Sequence, residues 1–258
     1  MPELPEVEEA RTRLAKVAEG RTIARLRLLH PALAKRITAG KLRGLKGRRI
    51  ERVERRGKHQ LLHLDDGRTI AIHFRMNGDW EIGRVGDEEP RFTRASLELE
   101  DGTRVALTDM RALSTVELFD VGEGALDLGP EPTDPAFNAD TLGVALARRS
   151  GEIKPALLDQ KMVAGIGNIY ASEALWVAKI SPRARAASLS AHRRDRLVQA
   201  IREVLSDAPE GRYQAKREGS RWNVYDREGE KCPRCGATIR RIVQAGRSTY
   251  YCPVDQKS

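Results

Sequence analysis

The chain begins Met1-Pro2-Glu3-Leu4-Pro5-Glu6, and positions 2 and 3 carry residue types suited to amine chemistry. A residue as small as proline behind Met1 permits removal of the methionine, which leaves a secondary amine on Pro2. A free α-amine titrates near about 7.7–8.0, well below a lysine, so much more of it is nucleophilic at neutral pH. Attack of that amine on an aldehyde-like sugar carbon gives a cationic iminium, an electron sink for elimination. Glu3, next door, has the right group to donate or accept the protons such a reaction moves. The same residues also read as an ordinary helix lead-in. Pro5 suits a first helical position, acids favour the positive end of the helix dipole, and Gly20 is a stop. That reading accounts for Pro5 through Gly20 but leaves Pro2 and Glu3 unexplained.

Three further groups of residues could do chemistry. In the tail, Cys232 and Cys235 of "CPRCG" are followed 17 positions later by Cys252 of "YCPVD", with Asp255 where a fourth ligand would stand. Two such knuckles have zinc-ribbon spacing, and a carboxylate is a permitted though harder zinc ligand. A metal-free ribbon held by packing is the alternative. Between the knuckles "TIRRIVQAGRSTYY" reads as a basic hairpin, with Arg247 near its tip in reach of a phosphate. In "IKPALLDQKMVAGIGNIYASEALWVAKISP" two helices flank a "VAGIGN" turn, and Asn168 is a candidate cap for the second helix. Exposed N–H groups there suit an anion, or else the glycines serve only close packing. No strand precedes and no third glycine follows, so this is not a dinucleotide fingerprint. Lastly, Lys58, His73, Met76 and Arg111 all fall near expected turns. Singly each is a solvated or packed side chain; with DNA at that surface, an apolar tip could fill the hole left by an extruded base.

The elements that must position these residues fall into two periodicities. After the first helix, "RTIARLRLLH", "RRIERVERRG", "HQLLHLDDG", "RTIAIHF", "ASLELEDG" and "TRVALTDM" alternate or form compact apolar runs. "LHLDDGRTIAIHF" and "LELEDGTRVALTD" predict hairpins with Asp-Gly turns. Residues 1–121 therefore read as an antiparallel sandwich or barrel with one N-terminal helix. Residues 122–137, rich in Gly, Pro and acids, read as a linker. Residues 138–223 are helical, beginning at "NADTLGVALARRS" with Asn138 or Asp140 as cap, and 224–258 return to turn-rich β character. The fold class is α+β with two domains.

Composition bounds the partners. The 258 residues hold 46 Lys and Arg against 37 Asp and Glu, a formal charge of +9, which favours a polyanion. No apolar run approaches the ~20 residues of a membrane span, and the acidic front lacks a signal-peptide layout. Three cysteines clustered near the end do not make a disulfide framework, so a reducing cytoplasm is expected. Nothing calls for an oligomer, and a monomer is the default.

In this order, "PELPEVE", "LGPEP", "DQKMVAGIGNIYASEALW" and "REGEKCPRCG…GRSTYYC" resemble the formamidopyrimidine-DNA glycosylase/endonuclease VIII family, across essentially the whole chain and closer to the formamidopyrimidine branch. The resemblance implies a β-sandwich with an N-terminal helix, a helix–two-turn–helix domain and a zinc-finger hairpin. It implies a nucleoid-associated base-excision enzyme that binds damaged or abasic double-stranded DNA in the cleft between the domains and flips the base. Carried over by motif, Pro2 is the Schiff-base nucleophile, Glu3 the general acid/base, Glu6 its supporting carboxylate and Lys58 a phosphate contact near the lesion. His73, Asn168 and Arg247 grip the backbone, and Met76 and Arg111 fill the gap. The implied activity is excision of 8-oxoguanine or formamidopyrimidine bases followed by β,δ-elimination. An oxidised-pyrimidine or abasic-site enzyme, or a damaged-DNA-binding protein without glycosylase activity, is the alternative.

Three departures from the family pattern stand out. "DMRALS" replaces the common "DPRRFG", so Leu113 stands where an aromatic wedge is usual. The 207–223 segment, where the branch carries its lesion-covering loop, is short and basic. Asp255 replaces the last cysteine of the zinc set Cys232, Cys235 and Cys252.

Overall fold

Alternating apolar residues on either side of two Asp-Gly turns build the hairpins of the first unit. β3 (His59–Leu64) buries Gln60, Leu62 and Leu64, and β4 (Thr69–His73) returns against it with Ile70 opposite Leu62. β6 (Thr93–Leu99) and β7 (Thr103–Thr108) repeat the device with Val105 opposite Leu97. Each reversal requires a left-handed residue, supplied by Gly67 at φ +81° and Gly102 at φ +82°. The computed structural model describes residues 1–34, 37–123, 126–208 and 222–257. Both hairpins lie where the sequence predicts them. Of the 207–223 segment only the two ends are described; the loop proper lies outside the described residues.

With β1 (Ile23–Leu28), β2 (Ile50–Arg56), β5 (Asp79–Arg84) and β8 (Thr115–Phe119), the strands form two four-stranded antiparallel sheets, ordered β2-β3-β4-β8 and β1-β6-β7-β5. Their inner faces share one apolar core: Leu62, Ile70 and Ile72 from one sheet, and Leu97, Val105 and Leu107 from the other. Burying each such side chain is worth about 1.5–3 kcal/mol. Trp80 Nε1 donates to buried Gln60 Oε1 at 2.7 Å, which pairs the indole N–H with an acceptor inside the core, while Gln60 Nε2 has no partner there among the described residues.

Helix α1 (Leu4–Ala18) buries the stripe Val7, Ala10, Leu14 and Ala18. It starts one residue before Pro5, because Glu3 is the N-cap and shares a capping box with Glu6. The helix runs antiparallel to β2. Gly20 N–H donates to the Ile50 carbonyl at its end, and Arg55 Nε donates to Glu8 Oε2 at 2.9 Å near its beginning. The front of the chain therefore lies at the Arg56 end of β2. Two short helices, α2 (Pro31–Ala34) and α3 (Ala39–Arg43), separate β1 from β2.

The second unit, Asp127 onward, is helical with a β-hairpin. α4 (Ala139–Ala147) is capped by Asn138, whose side chain accepts from Asp140 and Thr141 N–H. α5 (Ile153–Leu157) and α6 (Asn168–Val177) flank a turn closed by Gln160: its Nε2 donates to the Ile166 carbonyl and its Oε1 accepts from Gly165 N–H. The "LGPEP" motif lies against that turn. A Cβ at Gly129 would sit 2.5 Å from the Lys161 carbonyl oxygen, so only glycine fits. α7 (Ala191–Ser206) is capped by Ser190, and β9 (Arg240–Gln244) pairs with β10 (Arg247–Tyr251). Among the described residues no helix is long and apolar enough to cross a membrane. The architecture is the β-sandwich, helix–two-turn–helix and hairpin that the resemblance implies.

Candidate functional site

Register gathers the first unit's candidate residues. His59 pairs with Arg56 on one side and with His73 on the other, and His73 pairs with Thr115. The turn carrying Lys58, the residues after His73 that include Met76, and the loop carrying Arg111 and Leu113 therefore share one end of a sheet. The front of α1 lies at that same end. There Pro2 is buried, and Glu3, Glu6 and Lys58 are 1%, 4% and 5% exposed. Glu6 Oε2 accepts from Glu3 N–H at 2.8 Å and so fixes the backbone that carries Glu3. Burying carboxylates and an ammonium has a large desolvation cost, and such clusters concentrate at functional sites.

His73 is held neutral. Burial, then the neighbouring His59, Arg75 and Lys58, push it down to about 3, and burial followed by Arg75 takes His59 to about 4. The two rings meet edge to face at 4.6 Å. His73 Nδ1 accepts from Arg75 N–H at 2.9 Å, so the ring proton is on Nε2, as a donor. A neutral, oriented N–H suits a phosphate oxygen.

The Arg111–Leu113 loop hangs from Asp109. Its carboxylate accepts from the N–H groups of Arg111, Leu113 and Ser114 at 3.0, 2.7 and 2.8 Å. The loop passes through Ala112 at φ +53°. Arg111 is exposed, Leu113 is 43% exposed, and Met110 and Met76 are 61% and 36% exposed. Apolar tips gathered at one end of a domain mark an interaction surface. Asp109 and Met110 escaped the sequence reading because the carboxylate's partners become visible only once the loop is folded.

In the second unit, Asn168 does not cap α6. Gly167 is the cap residue, and the Asn168 side chain is drawn to the hairpin: Nδ2 donates to the Ser248 carbonyl at 2.9 Å. Lys154, fully buried, ties the same point together, donating to Asn168 Oδ1 at 2.5 Å and Thr249 Oγ1 at 2.8 Å. Arg247, beside Ser248, is exposed just after a two-residue turn in which Ala245 and Gly246 both have positive φ. Asn168 and the Arg247 turn are thus fastened as one piece. Lys154 was missed; its signal was a cation inside the apolar run "IKPALL". Glu173 was missed as well. Its carboxylate accepts from the N–H groups of Asn223, Val224 and Tyr225, each at 2.9 Å.

The three thiols converge: Cys232, Cys235 and Cys252 hold their sulfurs within 4.8 Å of one another, with Cys235 and Cys252 at 3.4 Å. Against burial, which raises it, the hydrogen bond from Trp176 Nε1 leads those that bring Cys232 down to about 7. Three converging thiols fit zinc. Asp255 lies outside the thiol cluster. Its carboxylate pairs with Arg234, whose guanidinium lies 3.8 Å over the Trp176 ring and donates to the Trp176 carbonyl.

Comparison with known proteins agrees along the chain. The formamidopyrimidine-DNA glycosylase N-terminal domain matches residues 1–116, the H2TH domain of the same glycosylase 128–217, and the zinc finger found in FPG and IleRS 229–257. A relative from Chloroflexus aurantiacus named formamidopyrimidine-DNA glycosylase is 42% identical over 271 residues, spanning 99% of this chain and 98% of its own. The structure is similar to the Lactococcus lactis enzyme bound non-covalently to DNA with an abasic site, at TM-score 0.90 and 32% identity, covering 99% of this chain and 100% of that one. It is also similar to MutM in complex with DNA containing carbocyclic 8-oxo-G, at TM-score 0.89 and 31% identity, with 100% of both chains covered.

Proposed function

The chain belongs to the formamidopyrimidine-DNA glycosylase family, and from that premise we propose that it is a bifunctional glycosylase and abasic-site lyase. The Pro2 amine, freed by removal of Met1, attacks C1′ of the damaged nucleotide. The base leaves with the electron pair of the glycosidic bond, Glu3 moves the protons, and Glu6 holds Glu3 in place. The C1′–O4′ bond then opens as O4′ takes a proton from Glu3, leaving an iminium that acidifies C2′, so the 3′-phosphate and then the 5′-phosphate depart by β- and δ-elimination. Lys58 and His73 hold the phosphates beside the lesion, Met76, Arg111 and Leu113 occupy the vacated stack, and Asn168 and Arg247 grip the backbone. The three thiolates hold a zinc ion that keeps the hairpin folded.

The observation that most supports this reading is the burial of Pro2, Glu3, Glu6 and Lys58 at one end of the sandwich, beside neutral His73. The test is borohydride trapping with an abasic duplex. The wild-type protein gives a covalent adduct and Pro2→Gly gives none; an undiminished adduct removes Pro2 as the nucleophile. Run on 8-oxoguanine, formamidopyrimidine and thymine glycol duplexes, the assay also separates the purine-lesion reading from the pyrimidine one, which the aliphatic Leu113 favours.

A further inference from the structure

The thirty residues from Arg21 to Ile50 contain ten Lys and Arg and no acid. Within the folded first unit that charge is sorted. Arg21 pairs with Asp101, Arg27 with Glu89 and Glu98, Lys41 with Asp120, Arg48 with Asp66 and Arg49 with Glu51. Lys35 and Arg36 lie outside the described residues. The remaining three, Arg25, Arg43 and Lys46, have no ion-pair partner among the described residues, and all three line one groove. It measures about 620 Å³ and runs along β1 beside α3.

The groove has the form of a strand-accepting site. β1 is the edge of its sheet: past Ile23, whose N–H and carbonyl bond Arg48 and Gly47, its only ladder among the described residues is the one to β6. Among the described residues, Ala24–Leu28 make no backbone hydrogen bonds beyond that ladder. The lining supplies apolar contacts from Leu26, Leu28 and Leu42 between the three cations. Edge strands with an apolar lining and an unpaired backbone invite another strand.

We propose that this groove binds an extended acidic segment of a partner protein, which adds to the β1 edge, places alternate apolar side chains on Leu26, Leu28 and Leu42, and pairs its carboxylates with Arg25, Arg43 and Lys46. Charge complementarity selects the acidic partner. The aliphatic lining selects peptide over single-stranded nucleic acid, because residues 21–50 hold no Phe, Tyr or Trp on which a base could stack. The site is independent of the glycosylase and lyase reading, since none of its residues belongs to that machinery.

The experiment uses the full chain and a fluorescein-labelled ten-residue peptide alternating Glu with Leu and Ile, against the same peptide with Lys in place of Glu. The acidic peptide binds, and the lysine version binds at least ~10-fold more weakly. Arg43→Glu with Lys46→Glu lowers affinity for the acidic peptide by ~10-fold or more, while abasic-duplex cleavage stays at the wild-type rate. Hydrogen exchange shows the amides of Ala24–Leu28 slowed by the peptide. The proposal is overturned by absence of binding, by affinity indifferent to the double charge reversal, or by protection elsewhere in the chain. Displacement of the peptide by undamaged duplex, lost in the double variant, assigns the groove to nucleic acid and overturns it too.

Discussion

In the first unit the candidate residues sit on turns, and the strands beneath set their relation; in the second they are fastened by side chains reaching across the sequence. Lys58, His73 and the Arg111–Leu113 loop are neighbours because Arg56, His59, His73 and Thr115 are in register. Asn168 and the Arg247 turn are neighbours because Lys154, 95 positions before Thr249, bonds to both sides. A site built on register tolerates exchange of most side chains but not a one-residue slip, which turns every side chain to the opposite face. A site built on one buried cation has the reverse sensitivity.

The sharpest way to break this contrast is Lys154→Met. It leaves Asn168 Oδ1 and Thr249 Oγ1 without their donor inside the protein, costing about 3 kcal/mol in urea unfolding. Affinity for an abasic duplex falls with it, by ~10-fold; unchanged affinity would dissolve the contrast. Asp109→Ala is the counterpart in the first unit. Three backbone N–H groups lose their acceptor, but water reaches part of that loop, so the loss is smaller, about 2 kcal/mol. Lesion cleavage slows while binding to undamaged duplex holds, and a fall in both would show that the loop does more than address the lesion.

Acid sharpens the contrast further. His59 and His73 stay neutral in the fold down to about 4 and about 3, whereas the unfolded chain takes up these protons near pH 6.5. The stability they contribute is therefore complete above pH 6.5 and declines as pH falls toward 4, by up to about 1.4 kcal/mol per pH unit for each proton. Hydrogen exchange of β3 and β4 at pH 7 and pH 5 measures it, and His59→Gln makes the dependence shallower. The smallest effect belongs to the finger. Because Arg234 already holds the Asp255 carboxylate, Asp255→Ala leaves the zinc content of the purified protein unchanged; a loss of zinc would make Asp255 a ligand after all.

What could be read in the sequence follows the same division. The hairpins around "DDG" and "EDG" were legible because turn and alternation are local. β5 and β8 were not: "DWEIGR" buries only Trp80, and "TVELF" is five residues whose place is set by β4. The thiol cluster was legible from spacing alone. Asn168 falls in the right region but makes a bond that the sequence does not show, because a helix-start asparagine looks like a cap until Ser248, 80 positions away, is folded beside it. Glu173 and Asp109 are ordinary letters in the sequence, and Lys154 stands out only as a cation in an apolar run; the roles of all three come from partners the chain brings to them.

Gly78 carries a consequence of its own. Its backbone is not in the left-handed region, yet a methyl there would sit 2.7 Å from Ser114 Oγ and 2.8 Å from Phe74 Cα. The close approach of Phe74 and Ser114, from which the Met76 turn and the Leu113 loop set out, is thus permitted by a missing side chain. An alanine at that point acts as a spacer, prising apart two fingertips while the palm beneath keeps its shape. Under the proposed function, it is the place to look for a separation-of-function allele, a protein that folds and holds DNA yet no longer senses which nucleotide is damaged.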